Sequence, residues 1–307
     1  MDGQQTDPRR WELDEYYRIA RWSLGTLAPL AAALVVLTVL SDSLTLFLLS
    51  LQSCIGVLAG GFEVLGMRRA LTGNAFSVVH GPGKFDSFAA FLRGVFGVPL
   101  ALCTLYVAVL RLRSPVDVDY ELALVALILV LARAAFSLVI KQRLMARLDH
   151  PSPRLRAAYS FRRGATISSI VVLAILVGGL AFEDAGMLGV GDRFDPIAAA
   201  LFAVYTLPVA ARQCLRHFNA LVDRPLPAEE RAYALSIVAA RLEGRDVAWQ
   251  LRTRMSGHER VVEVEIEPGV TAPLARFDVA YRDVQSALVE RFGDVRFAVF
   301  FPSREEP

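Results

Sequence analysis

Residues 122–140 read LALVALILVLARAAFSLVI, and this stretch decides the class of fold. At about 20 residues it is long enough, as a helix, to cross most of the roughly 30 Å of bilayer hydrocarbon. Its one charge is Arg133. Five more stretches share this character: residues 23–40, 44–66, 88–110, 164–182 and 197–211. Ser41-Asp42-Ser43 separates the first two. The last is short and reaches a full span only if Arg212 snorkels toward the headgroups. The composition agrees, with 54% hydrophobic residues against 21% charged and a mean hydropathy of +0.43 over 307 residues. That balance lies outside the range of soluble globular chains, and the apolar excess ends near residue 215.

Several classes are thereby excluded. Collagen, disorder and a disulfide-rich secreted scaffold do not fit. Cys54, Cys103 and Cys214 are too far apart for a CxxC pair, so no zinc ribbon or thioredoxin-like motif is available. A net charge of +2 is too small to argue for nucleic acid. With no nucleotide loop, HExxH or GxSxG, the chain is not expected to be an enzyme or to carry a cofactor.

Lys and Arg set the expected orientation. Arg68, Arg69 and Lys84 lie between the second and third stretches. Between the fourth and fifth stand Lys141, Arg143, Arg147, Arg154, Arg156, Arg162 and Arg163 against Asp149. After the fifth come Glu183, Asp184, Asp192 and Asp195 against Arg193 alone. Six crossings with both termini in the cytoplasm follow, and Arg111 and Arg113 are the exceptions on the outer side. Residues 1–22 carry Arg9, Arg10, Arg18 and Arg21 beside several acids and no cleavage signature, which predicts a cytoplasmic segment rather than a signal peptide. The expected division is 1–22 as that segment, 23–215 as the six-helix membrane domain and 216–307 as a soluble C-terminal domain.

The last part reads as α-β-β-α-β. Pro227 with Glu229 and Glu230 opens a helix, proline and acids both suiting a first turn. Residues 247–254 alternate, Ser256-Gly257 turns the chain, and 261–267 alternate again. There Val262, Val264 and Ile266 take one face and Glu263, Glu265 and Glu267 the other. Residues 273–292 form an amphipathic helix and 295–301 a final strand, which together predict a small α+β layer with helices on one face of a sheet. Self-association would suit a domain of this size.

Three strings then resemble one family. HGPGKFDSFAAF, residues 80–91, resembles the HxxGHGKxExLAAL stretch of the cation diffusion facilitator transporters. LVDRPLP with Glu229-Glu230 resembles their LLDxxLPxEE junction, and LRTRMSG, residues 251–257, their LRTRxSG hairpin. The resemblance covers nearly the whole chain. It implies an α-helical membrane protein of six transmembrane helices followed by a cytoplasmic α+β ferredoxin-like domain, working in the lipid bilayer of the cell inner membrane as a homodimer. It also implies a divalent metal cation as substrate, moved outward in exchange for protons.

By the same resemblance, four transport ligands belong at Gln52 and Gly56 in the second span and Phe161 and Ala165 in the fifth. Residues i and i+4 share a helix face, so two such pairs would offer tetrahedral coordination. This chain supplies one amide and no anion, and Arg162 and Arg163 adjoin the second pair. Cys54 points away from the Gln52 face and reads as a small hydrophobe. Two functions are therefore expected as alternatives. One is a cation transporter with a non-standard site. The other is a transport-incompetent relative acting as a partner or regulatory subunit.

Secondary sites read as follows. Pro82 replaces the histidine of the family's GHGK, leaving His80 in a loop. Tail metal positions fall on Glu265, Asp278 and Ala298. The acidic row is most simply the wet face of an edge strand, because its members are about 7 Å apart and cannot chelate alone. Lys84 and Asp223 survive where the family uses a charge interlock between tail and membrane domain. Glu63 and Arg133 are the charges read within spans. They are expected to pair, unless Arg133 snorkels and Glu63 lies at the interface.

Overall fold

A computed structural model describes residues 8–72, 83–148, 153–242, 248–256, 259–266, 274–293 and 295–300. His80 and Glu267 lie outside them, and the side chain of Asp278 lies outside the described side chains. The chain divides into two compact units, Met1–His217 and Phe218–Pro307.

The described elements of the first unit are helices: α1 (Pro8–Ser41), α2 (Leu44–Thr72), α3 (Gly83–Arg113), α4 (Tyr120–Ala146), α5 (Pro153–Asp184), the short α6 (Leu188–Gly191) and α7 (Phe194–Leu221). Among the described residues six helical segments are long and apolar enough to cross a membrane: Leu13–Ser41, Leu44–Thr72, Lys84–Arg113, Tyr120–Ala146, Ala158–Asp184 and Gly189–Leu221. The helices overrun the apolar stretches at their ends. Hydropathy marks only the part that needs hydrocarbon, whereas i to i−4 bonding continues into polar sequence. Thus residues 8–22, expected as a separate segment, begin α1. The sixth span, expected to be short, runs through Arg212 to Leu221.

The interior of this unit is lined by Leu34, Leu46, Leu48, Ala126, Leu176 and Phe202, contributed by five helices. Its surface is also apolar. Trp22 and Val39 are each 72% exposed and Phe136 65%, as lipid-facing side chains should be. Close helix contact occurs where side chains vanish. A Cβ at Gly94 of α3 would fall 2.5 Å from the backbone nitrogen of Cys214 in α7, so only glycine permits that approach.

The second unit contains α8 (Ala228–Leu242), β1 (Trp249–Ser256), β2 (Glu259–Ile266), α9 (Leu274–Phe292) and β3 (Val295–Phe300), in sheet order β1-β2-β3. β1 and β2 are antiparallel, with Thr253 opposite Val262; β2 and β3 are parallel, with Val262 opposite Phe297. The parallel pairing needs a crossover, which α9 supplies. α9 stops at Gly293, whose φ of 78° is costly for a residue bearing a Cβ. Val262, Val264 and Ile266 are buried with Val238, Leu288 and Phe297.

One expectation is corrected here. β2 is the central strand, because β3 returns to its second edge after the crossover. Its acids therefore have strand neighbours. Arg254 Nη2 lies 2.6 Å from Glu263 Oε1, and Arg252 Nη2 lies 2.8 Å from Glu265 Oε2. The acidic row is half of a cross-strand ion ladder, which opposite charges on neighbouring strands favour.

Candidate functional site

Membrane-buried charge is expensive, so its partners reveal its use. Asp195, at the start of α7, is wholly buried. Its Oδ1 accepts hydrogen bonds from the Ser43 hydroxyl (2.6 Å) and the Thr45 backbone N–H (3.1 Å), and its Oδ2 from the Leu44 N–H (2.7 Å). The carboxylate thus caps the first turn of α2, at the positive end of that helix. Asp42, with φ 52°, makes the turn that delivers these donors; aspartate tolerates the left-handed region better than most residues. Arg111 donates to the Asp42 carbonyl and stands 4.0 Å from Asp195. Tyr120 donates to the Gly191 carbonyl at 2.6 Å and accepts from the Asp195 N–H at 3.2 Å. Arg111, an exception in the orientation analysis, thus has a structural use at this turn. Asp195, by sequence one acid of the loop after the fifth stretch, is this buried cap.

The opposite half of the bundle is different. Glu63 Oε2 lies 2.9 Å from Arg93 Nη2 of α3. Arg133 instead donates from Nη1 to the Ser23 carbonyl of α1 at 3.4 Å. The expected Glu63–Arg133 pair is therefore replaced by Glu63–Arg93. Glu63, Arg93 and Arg162 each stand about ten residues, or roughly 15 Å, from the same-side end of their helices. Arg133 lies about a turn deeper in its own. Position gave the signal: Arg93 lies inside the third apolar stretch at the depth of Glu63, and it was overlooked.

Around this pair stand more cations. Lys141 of α4 lies within electrostatic reach of Arg162, Glu63, Arg93 and Arg133. Arg162 of α5 lies within reach of Arg93, Glu63 and Tyr16. The Arg162 Nε is buried with no hydrogen-bond partner. Among the described residues no carboxylate forms an ion pair with Arg133, Lys141 or Arg162.

The four positions that the resemblance assigns to transport ligands are placed as follows. Phe161 is 44% exposed on the surface of its helix. The Cβ direction of Gly56 points to α1, 3.2 Å from Leu27 Cδ2. Gln52 and Ala165 are half-buried, and the Ala165 carbonyl accepts from the Ser168 and Ser169 hydroxyls at 2.9 and 3.0 Å. Among the described residues no three His, Cys, Asp or Glu side chains are grouped to hold a metal ion. Cys54 is half-buried and unbridged.

Lys84 sits half-buried in the first turn of α3. Asp223 has a local use just past α7. Its φ is 51°, and the following N–H, of Arg224, reaches back to the Asn219 carbonyl at 3.2 Å, a left-handed helix stop. In the second unit Glu265 is engaged by Arg252. Glu230 takes a two-pronged bond from Arg260, Nε to Oε2 at 2.7 Å and Nη2 to Oε1 at 2.9 Å. That hydrogen bonding, against an opposing effect of burial, holds the Glu230 carboxyl below its ordinary range.

Comparison with known proteins places these features in context. A profile of the cation efflux transmembrane domain matches residues 20–222. The cation-efflux pump FieF of Serratia proteamaculans is 23% identical over 282 residues, 91% of each chain. The cation-efflux pump FieF of Yersinia pestis (strain Pestoides F) is 24% identical over the same length and coverage.

Proposed function

The chain belongs to the cation efflux family, a family of multi-pass membrane transporters rather than enzymes, and on that premise we propose that it has lost the dication route between α2 and α5. It serves instead as a partner or regulatory subunit, as a homodimer in the cell inner membrane with both termini cytoplasmic.

One observation carries this reading. Where a dication needs anionic ligands in place of its hydration shell, Glu63, the carboxylate found beside Lys141 and Arg162 among the described residues, is paired with Arg93. Arg133, Lys141 and Arg162 would repel the ion further. The retained Lys84 and Asp223 support the dimer and its interlock. Reversing either charge should weaken dimerisation, and reversing both should partly restore it.

A second reading is favoured by the end-to-end similarity to FieF pumps, 91% of each chain. It is efflux of a divalent cation in exchange for protons through a non-standard site. Flux measured metal by metal in proteoliposomes under a proton gradient separates the two. The expected result is no zinc, iron(II), manganese or cadmium flux above protein-free vesicles. Saturable flux that disappears in Glu63→Gln would overturn the first reading and establish the second.

A further inference from the structure

We propose that the inner half of the membrane unit is an anion site, built by Arg133 and Lys141 of α4 and Arg162 of α5 and bordered by the Glu63–Arg93 pair, that takes a phosphate-like oxyanion. It rests on the reading that no dication occupies this part of the bundle.

The argument begins with charge. Glu63 and Arg93 neutralise one another at 2.9 Å. Arg133, Lys141 and Arg162 then lie close enough to act on each other's charge. Among the described residues none of the three has a carboxylate within ion-pair distance. Buried cations persist where they meet a counter-charge or line a polar cavity. Glu63, already paired with Arg93, offers these cations only a shared negative charge.

Hydrogen bonding points the same way. The Arg162 Nε is a buried donor without an acceptor, which natural interiors rarely leave. A guanidinium presents its donors as a planar fork matched to two oxygens of a phosphate or carboxylate. Lys141 adds a compact charge with donors that can turn. Arg133 keeps one arm on the Ser23 carbonyl at 3.4 Å, which ties the group to α1 and leaves the rest of its fork available. A dication would find net repulsion here; an oxyanion would find charge and donors together.

The same chemistry can come from a free solute or from the headgroup of an anionic phospholipid, and the experiment separates them. The full-length protein is placed in nanodiscs of phosphatidylcholine and its Tm followed against sodium phosphate, with sodium chloride at matched ionic strength as the control. A parallel series replaces part of the lipid with phosphatidylglycerol. Stabilisation by phosphate in phosphatidylcholine identifies a solute site, and stabilisation by phosphatidylglycerol alone identifies a headgroup site.

Either response should fall at least tenfold in apparent affinity in Arg162→Gln and in Lys141→Gln. It should strengthen in Glu63→Gln, which removes the competing anion. A merely structural role for these cations would not move an anion titration in opposite directions. If neither anion stabilises the protein, or if the Arg162→Gln response equals that of wild type, the proposal is overturned. Zinc binding, measured separately by calorimetry on the same nanodiscs, bears on the lost dication route and not on this site.

Discussion

The membrane unit carries buried charge at both ends, and the two ends treat it oppositely. At the α1–α2 turn a single carboxylate, Asp195, receives two backbone N–H groups and a hydroxyl, with Arg111 nearby. In the other half Glu63 pairs with Arg93, and further cations gather beside the pair. The first end has the economy of a structural fastening, in which donors answer the charge in number and direction. Among the described residues the second holds more cations than carboxylates paired with them. Satisfied buried charge holds a fold together; an unsatisfied buried donor calls for an acceptor, whether water or a counter-ion.

The most severe way to break this comparison is at Asp195. Asp195→Ala strands its donors beside Arg111 and should cost about 3–5 kcal/mol. Thermal melting of the detergent-solubilised protein should show a large fall in Tm, and Asp195→Asn should fall less because shape and part of the bonding remain. A loss within error of zero would remove the structural reading of that end.

Next in size is Gly94, adjacent to Arg93. Gly94→Val forces α3 away from the Cys214 backbone and should cost about 1–3 kcal/mol through overpacking. It should also displace Arg93 from Glu63. Spin-label distances between α2 and α3 would record the shift.

The other half should respond in the reverse sense. Arg162→Gln, in zwitterionic lipid and without added anion, relieves repulsion and a buried unsatisfied donor. It should raise stability by on the order of 1 kcal/mol. A drop like that of Asp195→Ala would make both ends structural.

The smallest effect lies in the second unit. The Glu230 carboxyl is held below its ordinary range by Arg260, so its contribution is fully present above the unfolded carboxylate pKa, about 4.3. It is lost as the pH falls through the lower folded value. The pair is partly exposed, so screening limits it to about 0.2–1 kcal/mol. Hydrogen exchange in α8 and β2 should show Glu230→Gln less protected than wild type at pH 7, with the gap closing on acidification toward pH 3.

Much of this molecule was legible before its coordinates. Apolar runs of nearly bilayer length identify spanning helices because no other open structure satisfies the backbone in lipid. Alternation in Val262, Val264 and Ile266 identified a strand and its buried face, since the side-chain period of a strand is two. That Gln52, Gly56, Phe161 and Ala165 carry no carboxylate is a property of the sequence; that they are the transport positions is what the family resemblance implies. Helix ends were less legible, as the overrun of α1 and α7 shows. Hydrogen bonding does not stop where hydropathy does.

Partnership was not legible. Glu63 has Arg93 rather than Arg133, β2 lies at the centre of its sheet, and Asp195 is a buried cap rather than a loop acid. Each depends on which faces of distant segments meet, and one residue type at one depth fits several neighbours equally well. Local sequence determined that these chains of residues would be helices in a membrane and strands in a sheet, because period, length and transfer free energy act within a segment. Only the tertiary structure decided which charges would answer one another and which would be left over, because that balance is set between segments far apart in the chain.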